Sequence, residues 1–107
     1  MDNRSKNEST ILYVDDEPAN LRAFHNSFRW DYNVITESNP TKVLEILKRE
    51  KVQVIVSDQK MPEITGLELL EQVRDIFPKT MRVLFTAYAD VSILKEAINN
   101  GIIHYYS

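Results

Sequence analysis

The chain contains no cysteine. Disulfides and thiolate metal sites are therefore excluded, and any bound metal must be held by oxygen atoms or by the two histidines, His25 and His104. No stretch approaches the roughly 20 apolar residues of a membrane-spanning helix. The polar opening "MDNRSKNES" lacks the apolar middle of a signal peptide, and the expectation is a cytoplasmic protein without membrane contact. There is no excess of positive charge either: the net charge is −3, which leaves no basic footprint for nucleic acid. What is present is ordinary for a soluble domain, with 43% apolar and 27% charged residues. At 107 residues the chain can build one core but not two domains. Residues 1–9 read as a polar leader and 10–107 as the domain.

Short β-branched and apolar runs alternate with segments of helical periodicity. "TILYV" (10–14) reads as a buried strand that stops at Asp15. Pro18 suits a first helical turn, and Leu21, Phe24 and Phe28 give 18–30 one apolar face. "NVITE" (33–37) is a second strand, and "SNP" starts a helix over 40–50 with Val43, Leu44 and Leu47 inward. "QVIVSD" (53–58) is the second apolar run that stops at an aspartate. Leu67, Leu70, Val73 and Phe77 mark the inner face of a helix that Gly66 opens and Pro78 ends. "MRVLFT" (81–86) is a strand; Asp90 caps a helix with Val91, Leu94 and Ile98 inward, and Gly101 stops it in the left-handed position. "IIHYY" (102–106) reads as a fifth strand. Trp30 is expected to pack at the end of the first helix, and the two histidines to be surface or boundary residues.

Strands alternating with helices imply a parallel sheet covered on both faces. Ligands of such sheets sit at the carboxyl ends of the strands, near the point where strand order reverses. Asp15, Asp16, Asp58 and Thr86 all fall at carboxyl ends. For Asp15 and Asp16 a modest alternative is favourable charge at a helix N-terminus. Three aspartates on one rim, however, raise one another's pKa unless a cation lies between them. A hard divalent ion, Mg²⁺ above all, answers that need with carboxylate, carbonyl and water ligands. Asp58 is then placed to act as a nucleophile toward phosphorus, with Thr86 as a donor to the phosphoryl oxygens and the small Ala87 leaving room.

The segments "VDDEP", "VSDQKMPEITGLELL", "VLFTAYAD" and "AINNGIIHYY", in this order and spacing, resemble the receiver domain of two-component response regulators over residues 9–107. The resemblance implies a flavodoxin-like, doubly wound sheet of five parallel strands in the order 2-1-3-4-5. It implies a phosphoacceptor at Asp58, metal-binding acids at Asp15 and Asp16, a backbone carbonyl ligand at Lys60, a switch hydroxyl at Thr86 and an aromatic switch at Tyr105. The Lys60 ammonium is either an influence on phosphate lifetime or a solvated loop charge. The implied partners are a histidine kinase or phosphotransfer protein and an output domain or effector, with Mg²⁺-dependent self-phosphorylation and self-dephosphorylation.

The same resemblance places a lysine and a fifth helix after the segment matching "HYYS", beyond Ser107. Without them, right-handed crossovers leave the helix of 18–30 alone on one sheet face. Either the sequence is a fragment of a longer regulator or that apolar face is covered by another chain; self-association or an altered packing, with reduced stability, is the expectation. A phosphorylation-independent interaction or dimerisation module on the same fold is the alternative function. A metal-dependent hydrolase would want a further acid or base at the rim, which the motifs do not supply.

Overall fold

The computed structural model describes residues 8–87 and 90–107. Most of the expected leader lies outside the described residues, but its last residue is already engaged: the Asn33 amide donates to the Ser9 carbonyl at 3.1 Å. Five strands, β1 (Thr10–Val14), β2 (Asn33–Glu37), β3 (Val54–Asp58), β4 (Met81–Phe85) and β5 (Tyr105–Tyr106), form one parallel sheet in the order β2-β1-β3-β4-β5. Four α-helices connect them: α1 (Pro18–Phe28), α2 (Val43–Arg49, entered through a 3-10 turn at Pro40–Lys42), α3 (Gly66–Ile76) and α4 (Val91–Asn99).

Strand alternation divides the side chains between two faces. Leu12, Val14, Ile55 and Leu84 are fully buried on the face covered by α2, α3 and α4, where they meet Val43, Leu70, Val73 and Leu94. Tyr13 and Val56 point to the other face, where Phe24 of α1 covers them beside half-buried Val83 and Phe85. Among the described residues, α1 is the one helix packed on that second face. Burial of each large aliphatic side chain in the first cluster stabilises the fold by about 1.5–3 kcal/mol before conformational entropy is subtracted.

Several inner faces differ in detail from the periodicity. In α2 the buried set is Val43, Ile46 and Leu47, with Leu44 half-buried. In α3 Leu69 joins Leu70 and Val73, while Leu67 and Phe77 are only half-buried. In α4 the face turns to Leu94 and Ala97, leaving Val91 and Ile98 53% and 40% exposed. Leu94 is inward as expected, but the rest of the face turns toward the small Ala97, which a periodicity weighted by side-chain size passes over. Trp30 does not pack into the fold; it is 56% exposed, with the Arg29 guanidinium 4.4 Å from its ring centroid.

The fifth strand is shorter than expected, two residues in place of five. Its first two candidates finish α4 instead. The Gly101 amide donates to Ile98 O at 3.0 Å and the Ile102 amide to Ala97 O at 2.9 Å, with Gly101 at φ +73°. This is a Schellman closure, and it consumes the backbone that β-branched composition had assigned to the strand. Below it, Arg82 is 4% exposed and donates to four carbonyls, those of Ile102, Pro78, Thr80 and Gly101, at 2.8–3.1 Å. The Arg82 amide also donates to Nδ1 of His104 at 3.0 Å. One buried guanidinium thus ties the start of β4 to the loop that precedes β5. Burial, followed by the charge of Arg74, lowers its pKa from the usual range.

Candidate functional site

Sequential order reverses between β1 and β3: from β1 the chain builds outward to β2, and from β3 it builds the other way. The crevice at such a point lies at the carboxyl ends of those two strands. The register pairs Val14 with Ser57 and Asp58 with Phe85. Asp15 and Asp16 therefore emerge beside Asp58, and Thr86 follows the adjacent tip of β4. One carboxylate oxygen from each of Asp15, Asp16 and Asp58 lies within 4.8 Å of the others. Among the described residues these three form the one group of acids, histidines or cysteines so placed.

The three acids sit in different surroundings. Asp15 is 1% exposed and held by three donors: the Tyr13 hydroxyl to Oδ2 at 2.7 Å, the Asn20 amide to Oδ2 at 3.0 Å, and the Glu17 backbone N–H to Oδ1 at 2.9 Å. The last is an Asx turn that leads the chain out of β1 toward α1. Asp16 and Asp58 are half-buried and face the rim. Burial raises the Asp58 pKa above the usual carboxylate range, and the charges of Asp15 and then Asp16 add to the effect against a hydrogen bond from the Gln59 amide. Burial also raises the pKa of Tyr13, with the Asp15 hydrogen bond and the charges of Asp15 and Asp58 adding to it, so the phenol stays a donor.

Asp58, Gln59, Lys60, Thr86 and Ala87 line a cavity of about 200 Å³. A larger one of about 600 Å³ shares Gln59, Lys60 and Thr86 and runs toward Leu67 and Leu94. Gly66 packs against the tip of β3 beside these cavities. A Cβ at this position would collide with the Asp58 carbonyl oxygen and come within 2.8 Å of Leu84 Cδ1. Gly66 is the first residue of α3, as the sequence suggested, and its missing side chain lets that helix abut the strand end. Thr65 caps α3 through a reciprocal capping box with Glu68. Just before it, Glu63 has φ +72° and the Ile64 amide donates to Pro62 O at 2.8 Å, a strained γ-turn.

The structure thus gathers Asp15, Asp16, Asp58, Lys60 and Thr86 at one rim. It does not bring Tyr105 there: that side chain is 62% exposed on the edge strand. The backbone still connects the two, since the Thr86 amide donates to Ser107 O at 2.8 Å. His25 and His104 lie away from the acids, His25 in a surface depression beside α1 and His104 on Arg82. Tyr13 and Asn20 were missed from sequence. The available signal was a polar-tipped residue inside a buried strand, two positions before Asp15 and so on its face.

An open, parallel, doubly wound α/β domain with three carboxylates converging at its switch point is the class that the fold and the rim define. The family model of the response regulator receiver domain matches residues 11–107, and the chain belongs to that family. It is 32% identical over 102 residues to the hydrogenase transcriptional regulatory protein HoxA of Cupriavidus necator, covering 95% of this chain and 21% of that protein. Among solved structures, the signal receiver domain of an HD domain-containing protein from Pseudomonas fluorescens Pf-5 superimposes with a TM-score of 0.83 at 27% identity, covering 94% of this chain and 81% of the other. The chemotaxis protein CheY4 of Vibrio cholerae shares the fold, with a TM-score of 0.86 at 21% identity over 94% of this chain and 86% of that one. The chain spans about a fifth of the length of the curated relatives it matches. Its described helices include none long and apolar enough to cross a membrane.

Proposed function

We propose that this receiver domain accepts a phosphoryl group on Asp58 from a histidine kinase or phosphotransfer protein and relays that event to an output domain or effector. The observation that carries the proposal is the convergence of three carboxylate oxygens within 4.8 Å on the strand tips that flank the switch point. The donor set fits Mg²⁺: all hard oxygen, with no cysteine in the chain, and with an Asp58 pKa raised by burial and then by the charges of Asp15 and Asp16, which a cation would offset. Asp16, Asp58 and the Lys60 carbonyl would hold the ion, and Asp15 would act through water. Bound there, Mg²⁺ supplies charge neutralisation for the phosphoryl oxygens.

The chain's own groups do the rest. A carboxylate oxygen of Asp58 forms the new bond to phosphorus as the donor's P–N bond breaks and its electron pair leaves with the imidazole, giving an acyl phosphate. Thr86 donates its hydroxyl to a phosphoryl oxygen, and Ala87 leaves the space. Movement of Thr86 pulls on the Ser107 carbonyl and so on β5, where Tyr105 responds. Phosphate biases this equilibrium by its differential affinity for the two states. Val91, Ile93, Ile98 and Tyr105, all 40–62% exposed, support an output surface over residues 90–106.

The test is incubation with Mg²⁺ and acetyl phosphate, read by intact mass. A gain of one phosphoryl group that EDTA or Asp58→Asn abolishes is expected; a gain that survives Asp58→Asn, or none at all, refutes the assignment.

A further inference from the structure

We propose that Tyr13 is a positioning residue for the acidic site, its hydroxyl fixing the Asp15 carboxylate so that a single acceptor position remains to face the bound ion's water shell. The proposal rests on the metal-binding reading above.

A carboxylate offers about four lone-pair positions. At Asp15, Oδ2 is filled by the Tyr13 hydroxyl and the Asn20 amide, and Oδ1 accepts from Glu17 N–H, which leaves one position on Oδ1. Asp15 cannot then clasp an ion with both oxygens, and its role narrows to holding a water in one direction. The phenol is well suited to impose this because its ring is packed against other aromatic rings. Its ring is 5% exposed, stacked on Phe24 with centroids 4.3 Å apart and tilted against Phe85 at 5.8 Å. The aromatic wall on the α1 face is thereby continuous with the acid rim on the strand tips. An aliphatic side chain would fill the same buried strand position; only the hydroxyl reaches Asp15. Support of a ligand by a partner behind it commonly changes metal affinity 10- to 100-fold.

The experiment is Mg²⁺ titration by calorimetry at fixed neutral pH on the wild type and Tyr13→Phe, each verified as folded by circular dichroism. It is paired with near-ultraviolet difference spectra on adding Mg²⁺. Tyr13→Phe is expected to weaken Mg²⁺ binding about tenfold and to lose the tyrosine difference band. Unchanged affinity, or a band that persists without Tyr13, overturns the proposal and leaves the metal site standing. Failure of the wild type itself to bind Mg²⁺ refutes the metal reading and this inference with it. Should Tyr13→Phe not fold, a variant with Tyr32, Tyr88, Tyr105 and Tyr106 replaced by Phe decides the matter: it must keep the Mg²⁺-induced band, and a silent spectrum overturns the proposal.

Discussion

Replacing Gly66 by alanine should destabilise the domain, although alanine is the better helix former by about 1 kcal/mol. The added methyl group meets the Asp58 carbonyl oxygen, which cannot retreat: the strand is paired to Phe85 and the same oxygen accepts from the Ser57 hydroxyl at 2.9 Å. On its other side stands the fully buried Leu84. Overpacking of this kind costs about 1–3 kcal/mol. The atom met is backbone, so the upper part of that range, about 2–3 kcal/mol, applies; set against the helix-propensity gain of about 1 kcal/mol, the net loss is about 1–2 kcal/mol, a fall in Tm of roughly 5–15 °C for a domain of this size. Thermal unfolding followed by circular dichroism in EDTA measures it. Because the displaced atom belongs to the proposed phosphoacceptor's own backbone, labelling by acetyl phosphate should slow as well. A Gly66→Ala protein with a Tm equal to or above the wild type would refute the argument that α3 is pressed onto the β3 tip.

The raised Asp58 pKa sets a stability profile. A carboxylic acid whose folded pKa lies above its unfolded value stabilises the fold when protonated and loses that contribution as pH rises through the folded pKa. In EDTA the Tm should therefore fall as pH rises from the ordinary carboxylate range through the raised folded pKa, by an amount that Asp58→Asn removes, and Mg²⁺ should restore it at neutral pH; a pH profile identical in the two proteins would contradict this. Arg82→Leu leaves several buried carbonyls without their donor, at about 1–3 kcal/mol each. A net loss of about 3 kcal/mol is expected after the relief of a buried cation, read as a urea midpoint shift, and a near-neutral effect would show that the four contacts do not hold β5 in place.

Much of this was legible because parallel strands write their ends plainly: "TILYV" and "VIVSD" are apolar until the residue that leaves the sheet, so the rim acids could be placed before any coordinates. The strand order and the solitary position of α1 followed from the family resemblance and crossover handedness. What escaped depended on features that a hydrophobic period does not weigh. The stripe of α4 includes the small Ala97, which periodicity weighted by size passes over. The start of β5 was lost to a backbone closure whose hydrogen bonds use no side chain. The role of Tyr13 required knowing both that it shares a strand face with Asp15 and that Phe24 locks its ring.

The acids of the rim come from positions 15, 16 and 58 and meet only when β1 and β3 are paired. An ion held by them recognises the folded chain and not the unfolded one, so its concentration becomes a thermodynamic variable of folding itself. At one hundred times its dissociation constant, such a ligand adds about 2.7 kcal/mol to the unfolding free energy. The cation supply would then govern the lifetime of the domain against proteolysis even when no phosphoryl donor is present.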